Sequence, residues 1–147
     1  MKELRSEIII HSTATRVWET LIDFERYPQW NPFIHHITGK LEEGARLEVQ
    51  FQPGGKQGMT FRPIVKLVRS NHELRWLGNL WIPGLFDGEH IFSIDSSDSD
   101  QVLFTQREEF KGLFVPLLAS RLEVDTKRGF QEMNRALKDL VEREQSE

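Results

Sequence analysis

From Phe33 to Phe110 the apolar residues of this chain alternate with polar ones, and from Leu117 onward they recur every three or four positions. The first period belongs to strands and the second to a helix. No local motif constrains the fold as tightly as that change of period. Consecutive strands joined by short turns pair as an antiparallel meander, and a long amphipathic helix must bury its apolar stripe against that sheet.

Leu4, Ser6, Ile8 and Ile10 share one face of a first strand. Ser12 or Thr13 is placed to cap a helix in which Ala14, Val17, Trp18, Leu21 and Ile22 fall on one side. Pro28 and Pro32 break any regular run, so only a short helical turn and a loop are expected through 23–32. Further strands are expected at 33–41, 45–51, 59–69, 74–80, 88–94 and 102–110, with an edge or bulge at Pro63. On one face of 59–69 lie Met59, Phe61, Val65 and Leu67. In the last segment Leu118, Leu122, Thr126, Gly129, Met133, Leu137 and Leu140 form a stripe with Phe130 beside it, about six helical turns. The expected architecture is a single α+β domain over 1–147. Its curved antiparallel sheet of about seven strands wraps around the long C-terminal helix, with two short helices between the first and second strands.

The hairpin formed by 88–94 and 102–110 carries the most informative side chains. At a period of two, His90, Phe92 and Ile94 share one face, as do Val102, Phe104, Gln106, Glu108 and Phe110. The Asp/Ser-rich linker Asp95–Asp100 has turn composition. A symmetric register sets Ile94 against Val102, Phe92 against Phe104 and His90 against Gln106, with Glu108 one step further along. A solid core has no use for His, Gln and Glu among phenylalanines, whereas a ligand cavity does.

Composition narrows the function classes. With 147 residues and 38% hydrophobic content, the chain supports one substantial core. A net charge of −4 with mixed signs gives no basic footprint for nucleic acid. The charged start, Met1–Glu7, leads directly into a strand, and the longest apolar run, 113–119, is far too short to span a bilayer, so neither a signal peptide nor integral membrane association is expected. The chain contains no cysteine, which removes thiolate chemistry and favours a reducing, cytoplasmic setting. His35 and His36 are adjacent in a strand and point opposite ways, and His11 and His72 lack ligand-spaced companions. No metal site and no cofactor motif is expected.

Ten Phe and four Trp accompany a single Tyr, which concentrates apolar surface in a few flat rings. Trp30, Phe33, Phe61 and Trp76 are candidate walls of a cavity, together with Phe92, Phe104, Phe114 and Phe130, and Leu118 and Leu122 from the helix. Each is individually open to plain core packing. Trp81, Ile82, Leu85 and Phe86 sit in a Pro-Gly loop beside the expected mouth and are candidates for a gate or a partner surface. His90 reads either as a core histidine bonded to Gln106 or Glu108, or as a group that meets the ligand. Glu108 and Glu109 face opposite ways, and parity favours Glu108 inward. It would serve there as an acid or base beside His90, or else in a salt bridge with Arg62, Arg75 or Arg107.

Several segments carry a family resemblance in order: Arg16–Phe24, Tyr27–Phe33, Leu74-Arg75-Trp76, Pro83–Phe92 and Thr105–Gly112. On these the chain resembles the SRPBCC superfamily of START lipid-transfer domains, polyketide aromatase/cyclases and pollen-allergen-like proteins, and most of all its bacterial polyketide cyclase/dehydrase-like branch. The resemblance implies a helix-grip fold and a small hydrophobic molecule (lipid, aromatic or polyketide-like) as the partner. Three functions are compatible with it: binding alone, cyclase, dehydratase or hydrolase chemistry through His90 and Glu108, or a co-chaperone-like interaction module.

Overall fold

A computed structural model describes residues 2–52, 58–80, 82–96 and 100–146, without the side chains of 80, 118–122 and 146. Trp81 and the side chains of Leu118 and Leu122 therefore lie outside the described residues. The order is β1 (Lys2–Ile10), α1 (Ala14–Ile22), a 3-10 turn (Phe24–Arg26), α2 (Tyr27–Trp30), β2 (Ile34–Thr38), β3 (Glu48–Phe51), β4 (Met59–Phe61), β5 (Ile64–Arg69), β6 (Glu73–Leu80), β7 (Phe86–Asp95), β8 (Val102–Lys111) and α3 (Val115–Ser146). Antiparallel pairing gives the orders β1-β8-β7-β6-β5 and β2-β3-β4.

Among the described residues eight strands replace the expected seven because 59–69 breaks in two at Arg62-Pro63. Proline has no N–H to give a ladder, but its carbonyl accepts from Leu47 N at 2.8 Å, and Ala45 and Val65 continue the link. The meander bends there without losing its edge. A bulge at Lys66 then moves Leu67 outward and turns Val68 onto the core, which corrects the expected inward face of β5. A second bulge at His35 leaves both His35 and His36 exposed, where strict alternation would have hidden one.

Thr13 caps α1, its hydroxyl accepting from Arg16 N at 3.3 Å, and Val17, Trp18 and Leu21 are buried. Pro28 sits in the first turn of α2, where its missing N–H costs nothing. Burial pushes the Tyr27 phenol well above its ordinary pKa, with the charge of Asp23 adding to it, and its hydroxyl donates to Leu21 O.

The C-terminal helix is longer than expected, 32 residues or about nine turns. Pro116 fits its first turn, and 141–146 contains no glycine or proline to stop it. Its buried stripe runs Gly129, Phe130, Met133, Asn134, Leu137, Leu140 and Val141, laid across β1 and β8. Lys138 Nζ donates to Ile9 O at 2.9 Å, and Glu142 accepts from His11 N at 2.8 Å. Among the described residues, no helix is long and apolar enough to cross a membrane.

Candidate functional site

The β7–β8 register is slid by two residues from the symmetric one: Ile94 faces Phe104, Phe92 faces Gln106 and His90 faces Glu108. A slide of two keeps every side chain on its own face, so alternation alone cannot detect it. The consequence is chemical, because it sets the carboxylate directly opposite the imidazole. Glu108 turns inward, while Glu109 lies on the outer face, 2.8 Å from Arg107. Arg62 and Arg75 pair with outward carboxylates as well, so none of the three arginines named above meets Glu108.

His90 is 1% exposed and packs among the rings of Trp76, Phe92 and Phe130. Its Nε2 donates to Gln106 Oε1 at 2.8 Å, Gln106 Nε2 donates to Asn134 Oδ1 at 2.9 Å, and Asn134 Nδ2 donates to Ser6 Oγ at 3.3 Å. This polar chain crosses from the sheet to α3 and back to β1. On its other side His90 Nδ1 stands 3.2 Å from Glu108 Oε2, at ion-pair distance but out of line for a hydrogen bond. With Nε2 as the donor, Nδ1 and the carboxylate would face each other as two lone pairs. The arrangement sets an imidazole and a carboxylate side by side at the edge of the core.

Beyond Glu108 the interior opens into a cavity of ≈ 160 Å³. Its aromatic walls are Phe33, Phe51, Phe61, Trp76, Phe86 and Phe110, and Thr126 of α3 closes one side. Met59, Pro63 and Asn79 complete the lining with Gly78 and Gly88. These two glycines are register partners on adjacent strands, so the inward face loses two neighbouring side chains at once. A Cβ at Gly88 would fall 2.5 Å from Glu108 Oε1, whereas one at Gly78 would meet nothing nearer than Pro63 Cβ at 3.7 Å. Gly129 shapes the opposite wall: a Cβ there would lie 2.2 Å from Phe33 Cδ1, so only glycine lets that ring rest on the helix backbone.

Of the residues singled out in the sequence, Phe33, Phe61, Trp76, Phe86 and Glu108 meet in this wall, and His90 and Gln106 stand behind it. Phe92, Phe104 and Phe130 are fully buried packing residues that do not line the cavity, Phe130 resting behind Phe33. Trp30 is packed edge-on against Tyr27 and does not line the cavity, because α2 lies against β2, the 3-10 turn and α3. Phe114 lies on the outside, 38% exposed, because α3 begins just after it. The expected entrance loop divides: Phe86 is the first residue of β7 and packs on Phe110, Leu85 is half-buried, and Ile82 is 61% exposed. As site residues the sequence reading missed Phe51, Met59, Pro63, Asn79, Phe110, Thr126 and the glycine pair in the wall, and Asn134 behind it. Asn134 was detectable as the one polar residue in the row Phe130, Met133, Asn134, Leu137, Val141 at helical spacing.

A family model described as polyketide cyclase/dehydrase and lipid transport matches residues 1–142. No curated protein sequence matches the chain. Among solved structures, a START superfamily protein from Mycobacterium smegmatis is 20% identical with TM-score 0.75, covering 96% of this chain and 97% of its own. The Zhui aromatase/cyclase from Streptomyces sp. R1128 is 15% identical with TM-score 0.77, covering 97% and 94%. Norcoclaurine synthase from Thalictrum flavum, in complex with dopamine and hydroxybenzaldehyde, is 15% identical with TM-score 0.73, covering 97% and 87%. At these identities the three share a fold with this chain.

Proposed function

The chain belongs to the polyketide cyclase/dehydrase and lipid transport family, and from that premise we propose that it binds a small hydrophobic molecule between the sheet and α3. The observation that carries the reading is the hollow beside Gly78 under a wall of six aromatic rings. A close-packed structure has no reason to leave the space at Gly78 unfilled, since each methyl-sized void costs on the order of 1 kcal/mol. A guest in that space gains about 25 cal/mol for each Å² of apolar surface it buries. The reading is tested by a thermal-shift screen of small aromatic and aliphatic molecules against the wild type and Gly78→Leu. A Leu at 78 has room to grow into the hollow. Compounds that raise Tm in the wild type and leave the variant unmoved support an internal site. Equal shifts in both would sink it.

A second reading has its own observation, the 3.2 Å approach of His90 Nδ1 to Glu108 Oε2. In this reading Glu108 is the acid or base that reaches a substrate, and His90, behind the wall, is its partner in the acid/base pair. His90→Gln then abolishes turnover and leaves ligand affinity unchanged. A parallel loss of both would make His90 merely structural.

A further inference from the structure

We propose that the molecule this cavity takes is a small organic cation, a protonated amine on a body about the size of one aromatic ring. The inference rests on the reading of the cavity as a ligand site and adds the chemistry of its occupant.

Glu108 is the only charged side chain among the described residues of the wall. Its two oxygens are not equivalent. Oε2 faces His90 Nδ1, while Oε1 lies over Gly88, itself part of the wall, with no hydrogen bond among the described residues. The missing Cβ at Gly88 is what gives Oε1 its place, because any larger residue would displace it. The carboxylate is thus presented to the hollow with one acceptor unused.

What occupies the hollow must answer that acceptor. An apolar guest would cover Oε1 and leave it desolvated and unpaired, which is costly for a charged group. A carboxylate or phosphate would set like charges together. An ammonium N–H supplies a charge-assisted hydrogen bond, the strongest of the ordinary kinds. The surroundings favour the same choice. Phe33, Phe51, Phe61, Trp76, Phe86 and Phe110 ring the space, and the negative faces of aromatic rings attract a cation that has left water. Size completes the description: ≈ 160 Å³ is close to the roughly 150 Å³ of an apolar cavity that accommodates benzene. A longer chain would have to leave through the open side.

Three probes of one shape separate the possibilities: phenethylamine, 2-phenylethanol and 3-phenylpropanoate, titrated by calorimetry at neutral pH and physiological salt. The amine is expected to bind at least about tenfold tighter than the alcohol, with the carboxylate weakest. Glu108→Gln should bring amine and alcohol to within about threefold of one another. Glu109→Gln, on the outer face of the same strand, should leave the preference intact. An amine no tighter than the alcohol, or a preference that survives Glu108→Gln, overturns the proposal and leaves the cavity reading standing. Failure of all three probes to bind overturns both. Should Glu108→Gln not fold, the order of the three probes on the wild type decides alone.

Discussion

The inward face of β7 and β8 is solid at one end and hollow at the other. Toward Ile94, the rings of Phe92 and Phe104 stack 6.2 Å apart, with Met133 and Leu137 of α3 buried in the same core. Toward Phe110, the same two strands and their neighbour β6 present Gly78, Gly88 and a carboxylate. Between the ends runs the chain of His90, Gln106, Asn134 and Ser6. Helix, strand polarity and alternation are common to both halves. What differs is the removal of two side chains at register partners, and the bend at Pro63 that carries β3 and β4 across as a separate wall. A core becomes a site here by subtraction. The polar chain marks the boundary, satisfied on its core side and carrying a spare acceptor on the other.

The sharpest way to break that contrast is to truncate a ring in each half. Phe104→Ala should cost about 3–5 kcal/mol of unfolding free energy, because a fully buried ring leaves a cavity its neighbours cannot fill. Phe61→Ala, from a half-buried wall, should cost under about 2 kcal/mol. Denaturant midpoints measure both, and equal costs would mean the two ends are packed alike. Next in size, Asn134→Leu strips Gln106 Nε2 of its acceptor and should cost about 1–3 kcal/mol. Gln106→Leu added to it should cost much less than the sum of the two single changes, and strict additivity in that cycle would deny that they form one chain. Gly78→Leu should move stability by no more than about 1 kcal/mol, having an existing void to enter. A large loss would mean that the space is not there.

The smallest effect concerns how α3 is pinned over the solid half. Desolvation alone would raise the Glu142 carboxyl. Hydrogen bonds from Lys138 Nζ at 2.6 Å and from His11 N, with the nearby charges of Lys138 and His11, outweigh it and hold the group below its ordinary value of 4.5. A carboxyl whose folded-state value is depressed stabilises the fold above its unfolded value, and that contribution is lost as pH falls through the folded one. Wild type should therefore exceed Glu142→Gln in chemical denaturation at pH 7, and the gap should close below pH 4.5. A gap that does not change with pH would place the contribution elsewhere.

Much of the architecture was legible because periodicity is a local property. The alternation at 88–94 and 102–110 correctly assigned His90, Gln106 and Glu108 to the inward face, and Pro63 marked the break in its strand. Features that depend on alignment between segments were not legible. The two-residue slide that pairs His90 with Glu108 leaves the pattern unchanged. The bulge at Lys66 exchanges Leu67 for Val68 without any residue type announcing it. Gly78 and Gly88 are unremarkable in isolation and matter because they are opposite each other.

By itself, then, the order of residues determined which side of each strand is apolar, where the chain changes from sheet to helix, and that polar groups enter the interior. Those outcomes depend on neighbours within a few positions, where backbone geometry leaves few options. Tertiary structure alone decided that the polar groups join in one chain through Asn134, and that the void falls at the Phe110 end. Both are set by strand register and by how α3 lies across the sheet. Contacts between residues far apart in sequence select these, and each is one of several arrangements that local preference treats as equal.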